Sequence, residues 1–444
     1  MAEKKRMMKL AAHIHATGHH VAAWMHPRSD KDAGSNPEHY MKSAQLAERG
    51  KFDIMFLADS PGIRDGHWEA LARWPQYMAH FEPVTILSAM AAVTKHIGFV
   101  ATASTSYLEP YNVARLFGSL DHISHGRAGW NIVTTADPNV APNFGREEHL
   151  SHAERYERAG EFVEIVKGLW DSYDDDAFVR DVETGIYFDH KKLHRLNHKG
   201  KFFSVRGPLN MPRPPQGHPL LVQAGVSDDG RDLAAEVADM VFIQQMNIST
   251  AQKIYKDIKE RVVSKGREAS DLHLMPGMAV IVCKTEDEAK RQHEFLQSKI
   301  HPDVGVALLA GQMNYIDLRN VDVNMPLPEH LYPPEGTSAG NRIRELVANG
   351  PVTLREMYEK ISGARGSHMV FGTPVQVADR LQEWFETRAA DGFIVQPSYL
   401  PGGLEDFVDM VVPELQRRGI FRTEYEGKTT RENLGLKRPR SRFA

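Results

Sequence analysis

The apolar positions of the chain gather into short runs instead of alternating with polar ones. Eight runs have strand length: MKLAAHI (8–14), FDIMFLAD (52–59), IGFVATAS (97–104), RAGWNIVT (127–134), PLLVQAG (219–225), DMVFIQ (239–244), LMPGMAVIV (274–282) and GFIVQ (392–396). A strand that is apolar at nearly every position is covered on both faces, as in a parallel sheet packed under helices. Between the runs lie segments with helical spacing and helical punctuation. Asn36-Pro37 opens one that closes at Gly50, and Glu82-Pro83 and Glu109-Pro110 open two more. Ser151 and Glu154 have the spacing of a capping box, and Ser227 stands at another helix start. Strand–helix alternation with eight strands predicts an α/β fold, a (β/α)8 TIM barrel. A doubly wound open sheet is the competing arrangement.

Two segments break the alternation. One, at about 173–218, is rich in His, Lys, Gly and Pro; the other, at about 297–370, has no clean periodicity. Long stretches of this kind are usually functional. The expected organisation is one TIM-barrel domain over residues 1–444, with both segments as insertions over the barrel mouth.

Composition narrows the function classes. Of 444 residues, 41% are hydrophobic and 25% charged, the balance of a soluble globular chain. The net charge of -4 provides no basic field, so neither nucleic acid nor an anionic membrane surface is an expected partner. Cys283 is the single cysteine, which excludes an internal disulfide and a Cys-based zinc site; it sits in the apolar run MAVIVCK and reads as a buried thiol. No apolar h-region follows the basic N-terminus, and VTILSAMAAVT (84–94) is too short to span a bilayer before Lys95. A cytoplasmic location is expected.

The candidate chemistry lies near the strand ends. VQAGVSDDGRD (222–232) has the G-x-x-x-x-G spacing of a P-loop but lacks the Lys and Ser or Thr that must follow, and no G-x-G-x-x-G occurs, so no nicotinamide fingerprint is present. Ser227 still opens a helix directly after a strand, where free N–H groups suit a phosphate; a plainly capped helix is the other reading. His152 and Tyr156 share one helix face with Arg155 beside it, a set able to grip an anion or to lie in solvent. HIHATGHH (13–20) places His13 and His15 on one strand face, but no carboxylate stands at ligand spacing and no H-E-x-x-H occurs, so no metal is expected. His19 or His20, in a loop at the catalytic end of a barrel, could donate a hydrogen bond and exchange protons. Asp59 ends the second strand and Thr102 lies in the end of the third. Asn131 interrupts the apolar run of GRAGWNIVTTADPNVAPNFG.

That last stretch, with HAERYERAGEFVEIVKGLW, KGKFFSVRGPLNMPRPPQGHPLLVQAGVSDDGRDLAAEVADMVF, GTPVQVADRLQEWFETRAADGFIV, FEPVTILSAMAAVTKHIG and RENLGL, resembles one family over about residues 8 to 437. It is the nitrilotriacetate and dibenzothiophene-sulfone monooxygenase branch of the bacterial-luciferase-like flavin monooxygenases. The resemblance implies a luciferase-type TIM barrel and a two-component enzyme. It would receive FMN as FMNH2 from a separate NAD(P)H:flavin reductase. Through a flavin C4a-(hydro)peroxide it would insert one oxygen from O2 into a small S- or N-containing or xenobiotic substrate. It also implies a homodimer or homotetramer. By resemblance Asp59, Thr102, His152, Tyr156 and Ser227 match FMN contacts, with Arg155 at the phosphate. His19 falls near a histidine that relatives place over the isoalloxazine, with His20 as the other candidate. A contact of Asn131 with a polar flavin edge is inferred from its strand position. The readings set against this one are a deazaflavin-dependent hydride transferase and a non-catalytic flavin-binding protein.

Overall fold

The computed structural model describes residues 6–63, 68–75, 78–225, 227–313, 316–335, 337–348 and 350–444. Its strands are β1 (Lys9–His13), β2 (Ile54–Leu57), β3 (Gly98–Ser104), β4 (Ala128–Val133), a small hairpin β5 (His198–Lys199) and β6 (Ser204–Val205), then β7 (Leu220–Ala224), β8 (Met240–Ile243), β9 (His273–Val282), β10 (His368–Gly372) and β11 (Gly392–Pro397). Strands β1, β2, β3, β4, β7, β8, β9 and β11 pair in parallel in that order, and β11 returns to β1. The barrel is closed, which disposes of the open-sheet alternative, and its eight strands are the eight apolar runs. β10 is additional. The first half of β9 pairs with β8 (Met240 opposite His273), and the second half of the same edge pairs with β10 (His368 opposite Met278).

Two-residue alternation sorts each strand between lumen and helices. Ala11, Ile54, Val100, Val222, Met240, Met275 and Ile394 pack together in the lumen. The facing set packs under the helices: Trp130 lies between Phe117 and Phe162, with ring centroids 5.9 and 5.7 Å away, and its indole N–H donates to the Ala103 carbonyl at 3.0 Å. Asn131, one residue on, therefore points into the barrel.

The N-terminal end of the barrel is closed by a repeated device. Asp53, Asp239 and Asp391 each directly precede a strand, and each accepts a backbone N–H from a neighbouring strand: Leu10, Leu221 and Leu274, at 2.8, 2.8 and 3.0 Å. The C-terminal segment plugs this end. Leu434 and Leu436 join the lumenal cluster. Arg431 grips Asp239 through two bonds of 2.9 and 2.6 Å.

The predicted caps are present. Asn36 accepts from Glu38 N–H and His39 N–H at the start of the helix Pro37–Arg49, and Ser151 with Glu154 forms the capping box of the helix His152–Trp170.

The segment 173–218 starts and ends at the N-terminal end of the barrel. It leaves the end of the helix His152–Trp170 and leads into β7, so it emerges where strands begin. Gln216 there bonds Asp121 and the Ala128 carbonyl at the start of β4, and Arg213 pairs with Asp171 at 3.0 Å. A helix-to-strand connection in a parallel barrel begins and ends at the N-terminal end; between its ends the hairpin β5–β6 climbs the helix His152–Trp170, where Lys201 pairs with Glu157 at 2.8 Å and Arg158 lies 4.1 Å over the Phe203 ring. The segment 297–370 does approach the other end. It contains the helices Pro302–Gln312, Ser338–Val347 and Leu354–Ser362, and Leu308, Leu309, Met357 and Ile361 form an apolar cluster with Val21 and Trp74 from the loops after β1 and β2. Among the described residues, no helix is long and apolar enough to cross a membrane.

Candidate functional site

The strands deliver a set of polar side chains to the C-terminal end of the barrel, the end where barrel enzymes carry their sites. Thr102 on β3 and Asn131 on β4 are register partners and so face the same way. The Asn131 amide donates to Thr102 Oγ1 at 2.9 Å, and Thr102 donates to the Leu57 carbonyl at 2.8 Å. Asn131 Oδ1 is buried with no partner. Just past β2, the Asp59 carboxylate accepts from His80 Nε2 at 2.8 Å.

A cleft of about 290 Å³ runs outward from these strand ends, lined by Asp59, Ser60, Thr134, Thr135, Tyr156, Gln223 and Ala224 among others. It leads toward the facing starts of two helices, His152–Trp170 and Asp228–Val237. The Tyr156 and Ser227 hydroxyls lie 3.4 Å apart, and Ser227 caps its helix by accepting from Gly230 N–H at 3.2 Å. A Cβ on Gly230 would come within 2.9 Å of Ser227 Oγ, 3.1 Å of the Tyr156 hydroxyl and 3.4 Å of Gln223 Nε2, so these three side chains converge over a bare backbone position. His152 stacks obliquely on Tyr156 at 4.8 Å and pairs with Asp229 at 3.2 Å. Arg155 holds the loop after β4 through one nitrogen of its guanidinium. Its guanidinium donates to the Thr134 and Thr135 carbonyls at 3.2 and 2.9 Å and pins the loop after β4, while its Nε is buried and unpartnered. Burial lowers its pKa, but a guanidinium remains charged at any working pH.

The loop after β1 supplies the histidines. Gly18 fixes its path: at φ 131° an L side chain is strained, and a Cβ would lie 2.5 Å from Tyr399 Cα. His19 and His20 follow with opposite fates. Ala22 N–H donates to His20 Nδ1 at 3.0 Å, so the ring proton is on Nε2, which donates to Gln297 Oε1 at 3.1 Å. Both nitrogens of His20 are used. His19 Nε2 lies 3.1 Å from the Ala364 carbonyl and must donate to it, which leaves Nδ1 a bare acceptor, buried and without a partner. The expected hydrogen-bond donor is thus an acceptor at its open nitrogen. Burial, and then the nearby Arg365 charge, push His19 well below the usual imidazole range. Burial first takes His13 and His20 down to about 3.

Sequence spacing missed two polar groups here and weighed a third, His13, only as a metal ligand. Gln223 on β7 and Gln396 on β11 each carry a buried carbonyl oxygen with no partner, and so does Nε2 of His13, whose Nδ1 lies 3.3 Å from Gln396 Nε2. The available signal was the one that marks Asn131: a polar residue near the C-terminal end of an apolar strand run. The structure also gathers His13, His15 and His19, whose ring nitrogens approach within 4.8 Å of one another. Linear spacing excluded a metal there; the folded loop assembles three imidazoles, but beside the guanidinium of Arg365, 3.2 Å from His15 Nε2.

The family of luciferase-like monooxygenases matches residues 17–391. The N-acetyl-S-(2-succino)cysteine monooxygenase of Bacillus subtilis is 48% identical, with 100% of each chain covered. The nitrilotriacetate monooxygenase component A of Aminobacter aminovorans is 45% identical over 99% of this chain and 98% of its own. Among solved structures, a riboflavin lyase described with modified FMN and riboflavin superposes with a TM-score of 0.87 at 29% identity, covering 98% of this chain and 97% of that one.

Proposed function

The chain belongs to the luciferase-like monooxygenase family, and from that premise we propose that it is the oxygenating component of a two-component system. It takes FMNH2 from a separate NAD(P)H:flavin reductase and uses O2 to oxygenate a small organic substrate containing sulfur or nitrogen. Relatives named for a thioether-bearing cysteine and for nitrilotriacetate support that substrate range, the name component A supports a second protein, and the FMN of the riboflavin lyase supports the cofactor.

The observation that carries the reading is the set of buried polar atoms left without partners at one end of the barrel: Asn131 Oδ1, Gln223 Oε1, Gln396 Oε1, His13 Nε2 and His19 Nδ1. Burying a polar atom unpaired costs about 1–3 kcal/mol, so such a cluster is accounted for by a ligand that pairs with it. A flavin fits that need. Its pyrimidine edge alternates donors and acceptors, and its ribityl phosphate suits the cleft that ends at a helix start. Asn131, Thr102 and Asp59 would hold the ring and Tyr156, Ser227 and Gln223 the phosphate, with His152 on the far side of Tyr156. Arg155 would keep the loop after β4 in place and lend its charge.

When bound, reduced flavin supplies the activation of O2, one atom of which enters the substrate while the other leaves as water. The chain's own contribution is placement and protection. Ala364 fixes the tautomer of His19 and leaves Nδ1 as a neutral hydrogen-bond acceptor, able to orient a donor on the reacting groups. The apolar cluster of 297–370 against Val21 and Trp74 acts as a lid that excludes water, which would divert the oxygen to H2O2.

The test is reconstitution with a flavin reductase, NADH, FMN and O2 against a panel of aminopolycarboxylates, S-substituted cysteines and sulfones. Product that requires both proteins supports the proposal. NADH oxidation by this chain alone contradicts it.

A further inference from the structure

The connection from β2 to the helix Pro83–Ala92 spans 58–82, and its two ends meet at one hydrogen bond. Asp59, at the start, accepts from His80 Nε2, near the finish, at 2.8 Å. Both side chains are mostly shielded from water, 18% exposed for Asp59 and 23% for His80. The backbone is shaped to deliver the imidazole. Ala79 takes φ 47°, left-handed for a residue that carries a Cβ, and its carbonyl packs on Gly34, where a Cβ would lie 1.8 Å from the oxygen. Strain of this kind persists where the surroundings over-determine it, and it gathers at functional sites. Asp59 lines the flavin cleft, with Thr134, Tyr156 and Gln223; His80 does not, and borders a separate cavity of about 40 Å³ instead. Anything His80 does for the cleft therefore passes through Asp59.

With Oδ1 bonded to the imidazole, the carboxylate cannot turn without breaking that bond, and Oδ2 is the oxygen able to meet a donor in the cleft. The phosphate reading puts one end of the cofactor at Tyr156 and Ser227, which leaves the ring at the strand ends where Asp59 stands. Oxidised flavin carries a single ring N–H, at N3, so donor–acceptor matching singles out that atom. We propose that His80 is a positioning residue for the flavin: it holds Asp59 so that Oδ2 accepts the N3 hydrogen of the ring. The proposal rests on the flavin reading above for its ligand, and it concerns binding, not turnover. The competing role for the pair is a plain clasp on the two ends of the loop, which would be indifferent to the flavin bound.

The experiment titrates the protein with FMN and with 3-methyl-FMN, in which a methyl group replaces the N3 hydrogen, and follows flavin fluorescence. The phosphate is common to both ligands and cancels in the ratio. Loss of a hydrogen bond to a charged group corresponds to about 10- to 100-fold in affinity, and wild type is expected to prefer FMN by that factor. His80→Leu should lose most of the preference, chiefly by weakening FMN, and His80→Gln, whose amide N–H reaches the place of Nε2, should restore it. His80→Asn is polar but too short for that reach; it should behave as His80→Leu does and serves where the apolar variant fails to fold. In an Asp59→Ala background, His80→Leu should weaken FMN no further. A preference unchanged in His80→Leu or His80→Asn, with both flavins weakened alike, is the plain clasp and overturns the proposal, as does a wild type that binds both flavins equally. Oxygenation is read separately. The expected pattern in a chain that forms no product supports this role and counts against the monooxygenase reading alone, whereas a wild type that binds neither flavin overturns both.

Discussion

Adjacent histidines, His19 and His20, show how much a backbone carbonyl decides. Both are buried and neutral, yet only His19 keeps a ring nitrogen without a partner. His19→Ala is expected to leave FMN affinity intact while product falls about 10²- to 10⁴-fold, with H2O2 rising in its place. The product-to-peroxide ratio in a single turnover with pre-reduced FMN measures this, and an unchanged ratio removes His19 from the mechanism. At the other end of the cleft, Ser227→Ala should weaken FMN by about 1.5–3 kcal/mol, the scale of a hydrogen bond to a charged group. Riboflavin, which has no phosphate, should bind wild type and variant alike; fluorescence titration of both ligands decides it. The buried histidines also set a pH dependence. His13, His19 and His20 stay neutral in the fold, while in the unfolded chain they take up protons below their ordinary value near 6.5. Stability that is complete above that pH is therefore lost on acidification, by about 1.4 kcal/mol per pH unit for each histidine. Denaturant melts between pH 6.5 and 5 should show a slope that His20→Asn makes shallower by one such share; identical slopes would contradict the assignment. These residue roles were only half legible in the sequence. Asn131 announced itself as a polar residue in an apolar run, and Gln223 and Gln396 carried the same mark. The difference between His19 and His20 depends on Ala364, which lies 345 positions away from His19, and no local pattern encodes that contact.

At the scale of elements, the strands were the most legible part, because burial on both faces writes a continuous apolar run. β10 was not, since HMVFG pairs only with the second half of β9 and is partly exposed. The helices of 297–370 were hidden because Pro302–Gln312 is apolar on every side and shows no stripe. Composition gave no path for 173–218, whereas chain direction, out of a helix and into a strand, puts both its ends at the closed end. That end depends on Arg431, whose guanidinium is spent on Asp239 and on the His218 carbonyl at 2.9 Å. Removing one member of a buried pair leaves an uncompensated charge, so Arg431→Ala should destabilise the fold by about 3–5 kcal/mol. Chemical denaturation of the two proteins checks this, and a loss below 1 kcal/mol would show that the C-terminal plug is dispensable.

For the whole molecule, the barrel brings to one end two groups of residues that lie far apart in sequence, the two halves of the proposed site. Histidines after β1 and the loop at Ala364 sit at one side of the mouth, while the facing helix starts at Tyr156 and Ser227 form the other. The sequence named most of the second half through resemblance and helix punctuation, but the first half exists only once β11 closes on β1. The central claim is that this mouth joins O2 to a substrate using flavin reduced elsewhere. The most direct test supplies photoreduced FMN, without reductase or NADH, to the protein under 18O2 with the panel of aminopolycarboxylates, S-substituted cysteines and sulfones. One 18O atom in the product, dependent on the chain and on reduced FMN, is the predicted result. Product whose oxygen carries no 18O, or substrate turnover by hydride transfer in the absence of O2, would contradict the account.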